Sequence, residues 1–234
     1  MTVSLCLLVL NELKGCRMDV PRLPLKEFDE VYAVDGGSTD GTVEFLQQNG
    51  IPVYRQPQKG LGAAYIYAVD RSKCEAVVVF FPKGTYTPDD TLRFRPLFEA
   101  GYELVVASRN IAGARNEEDG KLFRPRKWLV TAMGLAVAAV WHREGWRIRD
   151  VLHGFKGFTV KGFRRLNPGG HGVTIDLELA VRSYRLRMKR CEFPTREDPR
   201  CYAGTHFKIW PTGKQLARYL WRELRRSAEP TSRI

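Results

Sequence analysis

The sequence predicts an α/β protein with a mainly parallel central sheet and helices on both of its faces. Three observations carry that expectation. Short apolar runs such as "SLCLLVL" and "EAVVVF" alternate with segments of helical periodicity, the connections between them span only a few residues, and the runs are apolar enough to be covered on both faces. At 234 residues the chain fits one large domain. That domain is assigned to residues 1–226, and 227–234 form a short polar tail.

"SLCLLVL" is a first strand that ends at the polar pair Asn11-Glu12. "EVYAVDGGSTDGTVEFLQQNG" supplies a second strand, a Gly/Ser/Asp turn and a helix stopped at Gly50. "IPVYRQ" is a third strand, and "PQKGLGAAYIYAVDRSK" places glycines in a turn ahead of a helical pattern. "EAVVVFF" is the fourth and most hydrophobic strand; "TPDDTLRFRPLFEAG" is a short helix with Asp89 and Asp90 suited to its first turn, and "YELVVASR" is the fifth strand. The polar "IAGARNEEDGKLFRPR" reads as a mobile loop. A helix with 14 largely apolar residues from Trp128 to Trp141 follows, shorter than a bilayer span. "IRDVLHGFKGFTVKGFRRL" carries two strand-like pieces, "TIDLELAVRSYRLRMKR" a helix, "CEFPT" a short strand and "GKQLARYLWRELRR" a closing helix. In that last helix Leu216, Ala217, Leu220, Trp221 and Leu224 share an apolar face.

Thirty-eight basic against 26 acidic side chains give a formal charge of +12, which attracts phosphorylated ligands, anionic lipid or nucleic acid. From Arg182 to Arg226 there are 13 Lys/Arg and 4 Asp/Glu, so the surplus is concentrated near the C-terminus. Neither a helix-turn-helix nor aromatics interleaved on a basic face is present, which argues against nucleic acid. Cys6, Cys16, Cys74, Cys191 and Cys201 contain no C-x-x-C pair and read as reduced packing thiols of a cytoplasmic, non-secreted protein.

In a parallel sheet ligands bind beyond the carboxyl ends of the strands. That rule puts Asn11-Glu12, Asp35-Gly36-Gly37, Pro82-Lys83-Gly84 and Ser108-Arg109 on one rim. "VDGGSTDGT" brings backbone close to a ligand, with Asp35 able to accept from a base or ribose hydroxyl, and it is equally an ordinary capped turn. "QKGLGAA" offers Lys59 and Gly60 ahead of a helix N-terminus, suited to an anion. Arg109 reaches either a phosphate or an acid partner. Arg196, Arg200, His206 and Lys208 surround "AGT" with phosphate donors. Asp176 and Glu178, two apart, do not share a helical face, so one lines a cleft while the other faces water. The histidines show no metal spacing.

The order of these motifs over about residues 3–215 resembles the inverting, nucleotide-sugar-dependent glycosyltransferases of family 2 with the GT-A fold, and within them the dolichyl- and polyprenyl-phosphate sugar synthases. "LVLNELKG" resembles the first-strand P-x-x-N-E element without its proline, "VDGGSTDGT" the nucleotide motif and "QKGLGAA" the N-x-G-x-G-x-A segment. "VVASR" resembles the strand whose arginine closes the donor site, and "RDVLHGFKGF" the D-x-x-x-G-F-R element with Lys156 for arginine. The stretch from "LELA" to "AGTHF" is similar to the E-x-P and R-x-x-G-x-S-K tail, with His206 near the lysine position. The resemblance implies that Asn11, Glu12, Asp35, Gly36, Lys59 and Gly60 hold the nucleotide. It implies that Lys83, Arg109, Arg200 and His206 meet phosphate, and that Asp150, Glu178 or Asp176, and Arg200 with Lys83 border the reacting centre.

One element departs from the family. Where members carry the metal-binding D-x-D pair, "FFPKGTYTPDD" places Pro82 and Gly84 around Lys83, and neither replacement ligates a cation. Lys83 then supplies fixed positive charge in place of magnesium or manganese, or the chain has lost transfer and keeps nucleotide or lipid binding. The implied reaction moves a sugar from a UDP- or GDP-sugar, with inversion, onto a polyprenyl phosphate of cell-envelope assembly, at the inner face of a membrane met by the 128–141 and final helices. The competing enzyme reading uses a hydroxyl or other saccharide acceptor and needs a carboxylate base from Asp150, Asp176 or Glu178.

Overall fold

The computed structural model describes residues 1–169, 172–200, 202 and 209–228. Seven strands, β1 (Val3–Val9), β2 (Glu30–Asp35), β3 (Val53–Arg55), β4 (Ala76–Phe80), β5 (Leu104–Ser108), β6 (Lys156–Thr159) and β7 (Arg190–Pro194), form one sheet in the order β3-β2-β1-β4-β6-β5-β7. All neighbours run parallel except β6, which pairs antiparallel with both β4 and β5. The mainly parallel expectation holds, and the antiparallel insertion is the exception.

Alternate residues of the central strands enter different cores. Leu5, Leu7, Val78 and Phe80 pack on one face with Phe94, Phe98 and Phe155, whereas Cys6, Leu8, Val77 and Val79 pack on the other with Tyr65 and Phe158. Both sides of β1 and β4 are therefore buried, each large side chain contributing about 1.5–3 kcal/mol of transfer free energy. That burial is why their sequences lack a polar alternation.

The helices are α1 (Leu13–Asp19), α2 (Thr42–Gln48), α3 (Leu61–Arg71), α4 (Phe94–Glu99), α5 (Pro125–Trp141), α6 (Val160–Leu166), α7 (Ile175–Arg185) and α8 (Ile209–Ala228). A third core joins Val137 and Trp141 of α5, Leu177 and Val181 of α7, and Leu216 and Tyr219 of α8.

Three local expectations are corrected. Only one strand lies in residues 148–166, because Thr159 ends β6 and accepts from the Gly162 amide at 3.0 Å, capping α6 over the second strand-like piece. The 110–124 connection is pinned: Arg115 N donates to Thr195 O (3.0 Å), Glu118 accepts from the Lys127 amide (2.9 Å), and Asn116 and Glu118 are buried. The last helix packs through Leu216, Tyr219 and Glu223, leaving Trp221 and Leu224 exposed, so its expected apolar face is divided between core and solvent. Cys6, Cys16 and Cys191 are buried thiols and Cys74 a half-buried one.

Candidate active site

The first two strand ends are stitched into one surface. Asn11, whose φ is 52°, accepts from the Thr39 amide (2.8 Å) while its own amide donates to Ser38 Oγ (2.9 Å). The Glu12 amide donates to Thr42 Oγ1 at 3.0 Å and the Leu13 amide to Asp40 at 3.1 Å. Asp35 is buried and accepts from the Gly37 and Ser38 amides (2.9 and 3.0 Å), so its carboxylate shapes the turn that follows it. Lys59 is exposed and Gly60 caps α3, across from Gly172.

The Pro82–Gly84 loop at the end of β4 is seated on α1. A Cβ on Gly15 would fall 2.1 Å from Pro82 O and 2.8 Å from Lys83 Cα, so only glycine admits this approach. Gly84 has φ +67° and donates to Asp19 Oδ2 at 2.7 Å. Asp19 is fully buried, and burial pushes its pKa to about 6 against the opposing Gly84 amide. Tyr202 Oη lies 3.0 Å from Lys83 O and 3.3 Å from Glu12 Oε2, and Arg200 donates to Glu12 Oε1 at 2.9 Å.

The Lys83 side chain is half-buried, its Nζ 5.1 Å from the Phe81 ring centroid and 5.8 Å from that of Tyr86. Among the described residues it makes no ion pair and no side-chain hydrogen bond. Burial pulls its pKa below the ordinary lysine value; Glu197 and Glu12 oppose that pull, and Arg200 and Arg109 reinforce it.

Arg109 pairs with acids. Its Nε and Nη2 grip Asp150 at 2.8 and 2.9 Å, its amide donates to the same carboxylate at 2.9 Å, and Nη1 donates to Glu197 Oε2 at 2.7 Å. Burial raises both carboxylates, but Arg109 overcomes it and holds Asp150 and Glu197 at about 2 each. His153, buried beside them, donates from Nδ1 to Ala107 O and is pushed down to about 4 by burial and by Arg109. Behind Asp150 lies Glu192 of the E-x-P strand: it accepts from the Asp150 amide at 2.9 Å, and burial raises it to about 7.

Asp176 and Glu178 are both buried, which corrects the expectation that one faces water. α7 is covered on each side, and each acid has its own cation: Lys156 Nζ lies 2.8 Å from Asp176 Oδ1, and Arg182 Nη2 lies 2.6 Å from Glu178 Oε1. Tyr65 also donates to Asp176, at 3.0 Å. Gly36 lies on the rim after β2, its amide donating to Val9 O at 2.9 Å. His206 lies outside the described residues.

Sequence reasoning missed Gly15, Asp19, Glu197 and Tyr202. Glu197 reaches Arg109 through the β5–β7 pairing, whose register Ser108↔Pro194 sets Arg109 beside the residues after β7 and has no local signal in the sequence.

The metal expected from the family does not fit these residues. Pro82, Lys83 and Gly84 offer no carboxylate, Asp19 is committed to the loop's own amide, and no group of three acidic, histidine or cysteine side chains among the described residues is arranged to hold an ion.

The model of glycosyl transferase family 2 matches residues 16–166, more than half of the chain. The chain belongs to that family. Glycosyltransferase AglJ of Haloferax volcanii is 30% identical over 174 residues, covering 74% of this chain and 55% of that protein, so the chain spans about half the length of this curated relative. Glucosyl-3-phosphoglycerate synthase of Mycobacterium tuberculosis, solved with manganese, UDP and glucosyl-3-phosphoglycerate, superposes with a TM-score of 0.68 at 18% identity over 99% of this chain and 81% of that one. Its complex with manganese, UDP-glucose and glycerol 3-phosphate gives a TM-score of 0.70 at 18% identity over 99% and 82%. At this identity the likeness is one of fold, and the fold is GT-A.

Proposed function

We propose that the chain is an inverting transferase that moves a sugar from a UDP- or GDP-sugar onto a polyprenyl phosphate at a membrane surface. The observation that carries this reading is the state of the carboxylates around the rim. A hydroxyl acceptor must lose a proton, and the carboxylate base that takes it needs a conjugate acid with a pKa near the working pH. Asp150 is held at about 2 by Arg109, Asp176 is paired with Lys156, and Glu178 with Arg182. Glu192, at about 7, is committed to the Asp150 amide behind the rim. A phosphate acceptor brings an oxygen that is already ionised, and it suits a rim whose candidate bases among the described residues are engaged, Asp19 at about 6 being turned to the Gly84 amide.

The lipid part of the reading is supported by α5 and the segments that flank it. Leu122, Phe123, Trp128, Leu129, Leu135 and Trp146 are each more than half exposed, with Phe123 stacked edge-on to Trp128 at 5.1 Å. Exposed Lys121, Arg126, Arg143 and Arg147 flank this surface with positive charge. Gly134 ties it to the rim: a Cβ there would lie 2.7 Å from the Arg149 carbonyl, so the Asp150 turn rests directly on α5. No helix among the described residues is long and apolar enough to cross a membrane, so the surface would lie on a bilayer and not span it.

The test offers chelator-treated protein UDP- and GDP-sugars with a short polyprenyl phosphate in anionic vesicles, and reads the anomeric configuration of the product by NMR. Inverted glycosyl phosphate is expected. Transfer only to hydroxyl acceptors would favour the second enzyme reading, and nucleotide binding without turnover a non-catalytic one.

A further inference from the structure

We propose that Lys83 is a built-in counter-charge for the donor diphosphate, so that this chain binds its nucleotide sugar without a divalent cation. The inference rests on the nucleotide-sugar reading above and adds the residue that replaces the ion.

Three features set Lys83 apart from an ordinary surface lysine. It follows the carboxyl end of β4, in the middle of the sheet, on the rim where a parallel sheet binds its ligands. Its backbone is fixed on both sides, by Gly84 N to Asp19 (2.7 Å) and by Tyr202 Oη at 3.0 Å from its carbonyl, with Gly15 opening the space beneath. The neighbouring cations are engaged: Arg109 with Asp150 and Glu197, and Arg200 with Glu12. Among the described cations of this cluster, Lys83 alone has no carboxylate within ion-pair distance; its Nζ meets only the rings of Phe81 and Tyr86.

In the reaction an oxygen of the acceptor phosphate forms a bond to the anomeric carbon from the face opposite the leaving group. The bond from that carbon to the diphosphate oxygen breaks, and its electron pair stays on the oxygen. One negative charge passes from acceptor to departing nucleoside diphosphate, and no proton moves. A lysine ammonium is a compact point charge able to meet it.

The experiment is calorimetric titration of UDP and GDP into full-length protein, in EDTA and then with manganese or magnesium. Wild type is compared with Lys83→Met, which keeps an unbranched side chain without the ammonium, with Lys83→Arg, and with exposed Lys161→Ala as a control for total charge. One nucleotide should bind wild type in EDTA, with an affinity that metal changes less than about threefold. Lys83→Met should weaken it by about 10- to 100-fold, the range of one charge-assisted contact, while Lys83→Arg recovers much of the loss and Lys161→Ala has no effect. Binding that requires metal, or is indifferent to Lys83→Met, overturns the inference and leaves the nucleotide-sugar reading standing. No binding of either nucleotide to folded wild type, with or without metal, overturns both.

Discussion

Replacing Arg109 with Met should cost the fold about 3–5 kcal/mol at pH 7, the usual effect of removing one partner from a buried ion pair. The substitution keeps most of the side-chain volume and removes the guanidinium that serves Asp150 and Glu197, whose side chains are 0% and 9% exposed. Asp150 is held at about 2 against an ordinary 3.8, and Glu197 at about 2 against 4.5. At about 1.4 kcal/mol per tenfold change these depressions sum to roughly 6 kcal/mol, a ceiling because both acids share one cation. The sign follows from the direction of the depressions. In wild type the contribution is complete above the ordinary carboxylate range and is lost as pH falls through about 2. In Arg109→Met, burial without a cation raises both acids instead, so the variant regains stability as they protonate, and its deficit shrinks from pH 8 toward pH 4. Urea unfolding followed by circular dichroism at pH 8, 7, 5 and 4 measures this directly. The triple variant Arg109→Met, Asp150→Asn, Glu197→Gln should recover most of the loss, because no buried charge is left unpaired. A deficit below about 1 kcal/mol, or one independent of pH, would refute the reasoning and return Arg109 to the role of a free phosphate ligand.

Asp19→Asn keeps an acceptor for the Gly84 amide and removes a buried charge. A carboxyl raised to about 6 from 3.8 loses stability as pH rises across that window, so the variant should melt higher than wild type at pH 8, by up to about 3 kcal/mol, and equally at pH 3.5. Gly15→Ala puts a methyl 2.1 Å from Pro82 O and should both lower the melting temperature and weaken nucleotide binding in calorimetry. Gly120→Ala, with no atom within 4 Å of the added methyl, should do neither. Leu129→Ser with Leu135→Ser, both on the exposed side of α5, should change stability by less than about 1 kcal/mol and reduce flotation with anionic vesicles; unchanged flotation would remove α5 from the lipid surface.

The sheet was legible because its signals are local. Runs such as "AVVVF" are apolar on both faces, and short polar connections end them, so the rim positions of Asn11, Asp35, Lys83 and Arg109 follow from strand ends alone. The partners across the rim were not legible, because they meet through folding over long separations. Glu12 and Arg200 are 188 positions apart, and Arg109 and Glu197 are 88 apart. Periodicity also misjudged residues whose burial depends on a third layer. Asp176 and Glu178 point in different directions from α7, yet α7 has neighbours all around it, and each acid is buried with its own cation.

The Pro82–Gly84 loop is constrained in its backbone as well as in its side chains. Position 84 has φ +67°, a region that costs an L side chain about 1 kcal/mol or more, and a Cβ there would lie 2.7 Å from Met18 Sδ. An aspartate at 84 would therefore be strained in its backbone and would have to displace the end of the Met18 side chain. Asp19 in turn is tolerated as a buried carboxyl because that amide faces it, and the loop stays close to α1 because residue 15 has no side chain. These features depend on one another and hold Lys83 where it is. A carboxylate introduced at 82 or 84 would arrive on a loop whose shape is set by Gly15, Asp19 and Tyr202. The position of Lys83 at the end of β4 is therefore held by the architecture of this rim.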